Sequence, residues 1–236
     1  MSYYGTPGTP LVTAVGTGTP PPVPIQQPQQ LFRYGEQSLW SSQFFGTAAI
    51  ADSVNRLFTT QIGQVGGGFT RVMTIGETNL KEGGAIPSGV AYDVFGISAH
   101  VIACSAATDV TDTDYDNTIN TVGLIGNLVN ILNNGVLSWD FTQTQVDIAP
   151  ISLIGSGGGA FGPLAAVGAG AQTNAGHLTN GPGSIWMYRK HPVALPGSAT
   201  FSIILRFGNR AAAIATYGMV VKVSLMGYYK NIIEIG

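Results

Sequence analysis

Asp112, Asp114 and Asp116 stand at alternate positions, which makes them the closest approach to a metal-binding set in this chain. Oxygen ligands at that spacing open a calcium loop, which then needs Gly at its sixth position and Glu at its twelfth. Here the sixth is Asn117 and the twelfth is Gly123, so an EF-hand is rejected. Two alternatives stay open: a looser calcium site at a subunit contact, or a solvated loop that caps a following helix. Residues 157–162, Gly-Gly-Gly-Ala-Phe-Gly, satisfy the pattern G-x-G-x-x-G. A dinucleotide site needs an acidic residue about 20 positions later, whereas the next one here is Glu234. His100, His177 and His191 share no metal-ligand spacing, and the single Cys104 lies in an apolar run as a packed thiol. With no G-x-S-x-G elbow and no Gly-Lys pair for a phosphate loop, the sequence predicts no enzyme, no cofactor and no small-molecule substrate.

The elements that would position such residues sit in a chain with little charge. Only 9% of its 236 residues are Asp, Glu, Lys or Arg, against about 25% in ordinary soluble domains. Hydrophobic residues reach 44%, enough for a sizeable core. A chain this sparsely ionised either dresses its surface in Ser, Thr, Asn and Gln or covers much of it with neighbours. Self-association is the expectation. The net charge of -2, with no cluster of Lys and Arg, argues against direct nucleic-acid binding. No basic and apolar leader is visible, and no apolar run reaches the length of a spanning helix.

Residues 1–35 read as an extended arm. The first 30 carry no charge and seven of the 13 prolines, including Pro20, Pro21, Pro22 and Pro24. Proline removes backbone donors and favours an extended course, so Tyr3, Tyr4 and these prolines are candidate assembly contacts, with a disordered tail as the alternative. Residues 36–236 are predicted to form one domain. A short helix is expected within 43–60, from Ile50, Val54, Leu57 and Phe58. Another is expected over 118–133. Strands are expected over 69–75, 90–104 (one, or two broken near Gly96), 136–154 (bent or ended at Pro150), 184–189, 200–207 and 219–229. Residues 155–183 form a Gly-rich loop, and no charge occurs between Asp147 and Arg189. In that loop Phe161 and Leu164 are candidate contacts to a neighbouring subunit, with an exposed loop or a membrane surface as alternatives.

Two ten-residue stretches repeat one pattern. Ala85 to Val94 reads AIPSGVAYDV and Ala194 to Ile203 reads ALPGSATFSI. Proline marks a strand opening, the Ser/Gly pair a tight turn, and the aromatic and β-branched residues a strand with one buried face. Two related halves of one β-sandwich are implied. The whole predicts an all-β fold, a jelly-roll β-sandwich with one or two short helices in connections.

The phrases KEGGAIPSGVAYDVFGISAHV (81–101), RKHPVALPGSATFSIILRF (189–207) and VKVSLMGYYKNIIEI (221–235), with the uncharged arm, resemble capsid proteins of jelly-roll bacterial viruses. The resemblance is one of texture and strand phrasing. It implies a shell-building subunit whose partners are copies of itself and other virion proteins, located in the virion after assembly in the host cytoplasm. A phage fibre, spike or lectin-like sandwich that binds carbohydrate is the alternative, and an exposed Trp40, Trp139 or Trp186 would favour it.

Overall fold

The computed structural model describes residues 31–46, 55–103, 131–141, 144–154, 166–167, 173–174, 185–188, 190–207 and 218–233. Its long strands are β1 (Leu31–Phe45), β3 (Val90–Ala103) and β11 (Met219–Ile233). β4 (Val136–Phe141), β5 (Thr144–Pro150) and β10 (Phe201–Arg206) are shorter. The remaining strands are β2 (Asn55–Leu57), β6 (Ala166–Val167), β7 (Thr173–Asn174), β8 (Trp186–Met187) and β9 (Val193–Leu195). Among the described residues there are two short helical stretches, α1 at 131–134 and α2 at Ile151–Ile154.

Among the described residues all strand pairing is antiparallel. One sheet runs β1-β11-β3, with β8 and β9 both on the far edge of β3; a second runs β2-β10-β4-β5, and β6 and β7 pair with each other apart from both. β1 and β11 pair over their full lengths, from Leu31↔Ile233 to Phe45↔Met219. The two sheets share one core. Alternation puts Met219, Val221, Val223 and Leu225 of β11 on the inner face of the first sheet. Ile203, Leu205, Trp139 and Leu137 face them from the second sheet.

β3 changes its inward set part-way. Val101, Ala99 and Ile97 point inward, then Val94 and Tyr92, and the register slips between Met226 and Gly227. Phe95 is therefore a bulge residue, and the break expected near Gly96 is a bulge inside one strand. A β-carbon on Gly227 would stand 2.5 Å from the Tyr92 ring, so only glycine lets that ring lie flat across β11.

The outer face of the first sheet has its own cover. Phe44, Phe69, Met73 and Val220 form a second apolar cluster there, made by the 59–89 connection folding over the sheet. The strand expected over 69–75 is not formed: Val72 makes a single bridge to Val65, and Phe69 and Met73 reach the cluster from turns. The helix expected within 43–60 is not formed at either end of that range. Residues 43–45 end β1 and Asn55–Leu57 is a strand; Ile50 and Val54 lie outside the described residues. Leu57 and Phe58 are both buried because Phe58 takes a φ of 68° that turns the chain, not because they share a helical face. β5 ends at Pro150, one of the two outcomes expected of that proline, and residues 151–154 beyond it, within the stretch read as β, form α2. Residues 31–35, assigned on sequence to the arm, begin β1. Of the helix expected over 118–133, residues 131–133 are helical and the rest lie outside the described residues.

The two repeated phrases meet in space. Pro87 O accepts from Val90 N at 3.2 Å and Pro196 O from Ala199 N at 3.1 Å, so each phrase is a β-turn begun by its proline. The turns then bond each other: Ser198 N donates to Ile86 O at 2.9 Å and Ile86 N to Ala199 O at 3.4 Å. Beside them β9 pairs with Tyr92–Val94 of β3.

Candidate functional site

Beside these turns, one end of the sandwich opens into a cleft. β1 is an edge strand, and an exposed edge must be covered or blunted. Asn79 covers its middle like a short strand. Its Oδ1 accepts from Trp40 N at 2.8 Å, its Nδ2 donates to Ser38 O at 2.7 Å, and its own amide donates to Trp40 O at 3.3 Å. On the N-terminal side of this clamp, β1 diverges from the connection and leaves a cleft of about 380 Å³. Buried Leu39, Leu80 and Ile86 form its floor, with half-buried Val90 and Tyr229. Arg33, Tyr34, Glu36, Lys81, Pro87 and Asn231 line its rim.

The rim carries charge of an unusual kind for this molecule. Elsewhere Arg56 pairs with Asp140, Arg71 with Glu77, Arg206 with Asp147 and Lys230 with Asp93. Arg33, Glu36 and Lys81 are exposed and make no ion pair among the described residues. Tyr229 packs on Tyr92 with ring centres 4.8 Å apart, and burial pushes its hydroxyl pKa up. The Tyr92 hydroxyl is held neutral more strongly, first by burial and then by Tyr229 beside it; it shares its proton between Gln37 O and Leu225 O. The cleft therefore offers an apolar floor, two cations and one carboxylate without ion pairs among the described residues, and the neutral phenol of Tyr229. This equipment can hold a ligand. It contains no nucleophile beside a base.

No protein-family model, curated protein or solved structure matches the chain. The site rests on geometry alone.

A second cleft, also of about 380 Å³, lies on the outer face of the second sheet, lined by Arg56, Thr59, Asp140, Thr200 and Ser202 among others. Its arginine is already engaged, with Asp140 and with Ser202 Oγ at 3.0 Å. Nearby, Ser138 and Arg206 both donate to Asp147, and these bonds hold its carboxyl below the usual range.

Most residues singled out on sequence fall elsewhere. Tyr3, Tyr4, Pro20, Pro21, Pro22, Pro24, Phe161 and Leu164 lie outside the described residues, as do Asp112, Asp114, Asp116, Cys104 and His177. His100 sits on β3, paired across the ladder with Lys222. Burial, and then Lys222, hold its pKa below 6.5, and its Nε2 has no hydrogen-bond partner. His191 is exposed before Pro192. Among the tryptophans, Trp139 is buried and donates to Tyr188 Oη at 2.7 Å, and Trp40 lies under the Lys222 ammonium, 5.8 Å from its ring centre. Trp186 is exposed. Among the described residues no three His, Cys, Asp or Glu side chains gather, and no helix is long and apolar enough to cross a membrane. Sequence reasoning missed the cleft. Its one signal was Lys81 beside Glu82, charges next to a repeated phrase in a chain that has few.

Proposed function

We propose that this chain is a shell-building subunit, a capsid protein of a bacterial virus whose sandwich is wired as a jelly roll. The observation that carries the proposal is the nesting of strand pairs. β4 pairs with β5, then β3 with β8 and β9, then β2 with β10, and outermost β1 with β11. A chain folded into a long hairpin and rolled across two sheets has this order, the wiring found in capsid and lectin domains. Sparse charge adds support: 22 charged residues in 236 leave little to keep copies apart. The work is mechanical. A rigid two-sheet block is repeated around symmetry axes, and its loops and arm set the contacts between blocks.

Because the same wiring serves binding modules, fold alone does not choose the function. Carbohydrate recognition is favoured by one observation, the exposed Trp186 between exposed Ile185 and Met187. Negative-stain imaging and light scattering of the purified chain, alone and with co-expressed virion proteins, separate the two. Closed particles or regular sheets are the expected result. A chain that stays monomeric in every mixture while binding a glycan array overturns the capsid proposal in favour of its rival.

A further inference from the structure

We propose that the cleft beside the start of β1 receives an acidic segment, residues 107–117, from a second copy of this chain. The inference rests on the self-assembly proposed above and names one of its contacts. The cleft's chemistry selects the occupant. Its floor is Leu39, Leu80, Ile86, Val90 and Tyr229, and its rim holds Arg33 and Lys81 against Glu36 alone. A fitting ligand brings apolar side chains flanked by more than one carboxylate. The chain's acids are distributed to match. Four of its 12, Asp109, Asp112, Asp114 and Asp116, fall in residues 107–117 together with Val110 and Tyr115. The proline-rich arm has no charge to answer the rim. Arg56, in the other cleft, already has its carboxylate.

Chain length disfavours the segment's own molecule at the Arg33 end of the cleft. Arg33 lies level with Val90 through Asn231, and the chain leaves β3 at the far end, after Ala103. Those 13 strand steps span about 40 Å. Nine further residues, from Ala103 to Asp112, reach at most about 31 Å when fully extended, enough for the Leu39 end of the cleft but too short to lay the Asp112 backbone beside Arg33. A second copy, which the self-assembly proposed above supplies, carries no such tether. Complementary charge at such a contact sets register and rejects wrong partners more than it adds affinity, a useful property where an apolar surface would otherwise stick indiscriminately.

The test uses the full chain and a fluorescent synthetic peptide of residues 107–117, read by anisotropy. The peptide is expected to bind, and R33E/K81E to weaken it by about tenfold or more. K190E, an exposed cation away from the cleft, leaves binding unchanged. Raising salt from about 0.05 M to about 0.5 M weakens it as well. A peptide with all four aspartates changed to asparagine is expected to bind as weakly as the native peptide binds R33E/K81E; this arm leaves the protein unaltered. Binding that ignores both charge changes overturns the proposal, as does absence of binding. Preferential binding of a peptide of residues 17–28 overturns it too and gives the cleft to the arm. Particles that form normally while the acidic peptide fails to bind refute this contact and leave the shell proposal standing. Peptide binding by a chain that never assembles refutes the shell alone.

Discussion

Ser198 is the one strained partner in a matched pair of turns. A turn with φ above zero at its third residue favours glycine there. The first phrase has Gly89 at that place, with φ 78°, and the second has Ser198, with φ 64°. The second phrase keeps its glycine one position earlier for another reason: a β-carbon on Gly197 would stand 2.7 Å from Val90 O. Ser198→Gly is therefore expected to stabilise the fold by up to about 1 kcal/mol, whereas Gly197→Ala destabilises it. Urea unfolding of both variants checks the two signs. The second residue-scale expectation concerns pH. Burial and Lys222 depress the His100 pKa below its unfolded value of 6.5. As pH falls below about 6.5, the unfolded chain takes a proton that the folded chain refuses. His100 thus contributes stability that is present above that pH and lost as pH drops towards its folded pKa. Melting temperature should decline over this range in the native chain and decline less in His100→Gln. Lys222→Met removes the secondary cause and should raise the imidazole pKa in an NMR titration.

At the scale of elements, Asn79 decides where β1 stops being an edge. Its side chain satisfies Trp40 N and Ser38 O. Asn79→Ala leaves both without their partner and is expected to cost about 1–3 kcal/mol, with faster hydrogen exchange at the Trp40 amide and more edge-to-edge association. Asn79→Asp keeps the acceptor for Trp40 but sets a carboxylate oxygen against Ser38 O, two acceptors face to face, so it should not restore the clamp. β1 also shows why parts of the fold were not legible in the sequence. β10 was readable because Phe201, Ile203 and Leu205 stand at alternate positions of a β-branched and aromatic run and all face the core, although Ser202 and Ile204 between them are buried as well. β1 has no such pattern. Ser41 and Ser42 are both buried, one in each direction, because the second sheet covers one face and the 59–89 connection the other. With both faces covered, alternation disappears, so residues 31–35 passed for the end of an arm and 43–45 for the start of a helix. The cleft was illegible for a further reason: residues 33–39, 79–90 and 229–231 meet only after β1 has found β11.

At the scale of the molecule, the nesting of strand pairs orders how the fold can form. β4 and β5 are neighbours in sequence, whereas Phe45 must find Met219 across 174 residues. Closing a longer loop costs more entropy, though the cost grows only slowly, and each inner pair shortens the loop left for the next. Pairing that begins at β4–β5 and moves outward through β3 with β9, then β2 with β10, meets the smallest cost at every step. Joining β1 to β11 first meets the largest. Two core substitutions separate the routes. Leu137→Ala on β4 and Leu225→Ala on β11 each remove a fully buried side chain and are each expected to cost about 2–5 kcal/mol at equilibrium. With the hairpin in the nucleus, Leu137→Ala slows folding, and Leu225→Ala mainly speeds unfolding. Stopped-flow folding and unfolding against denaturant, at concentrations low enough to keep the chain monomeric, give both rates for both variants. Folding slowed more by Leu225→Ala than by Leu137→Ala would place the outermost pair in the nucleus and reverse this order.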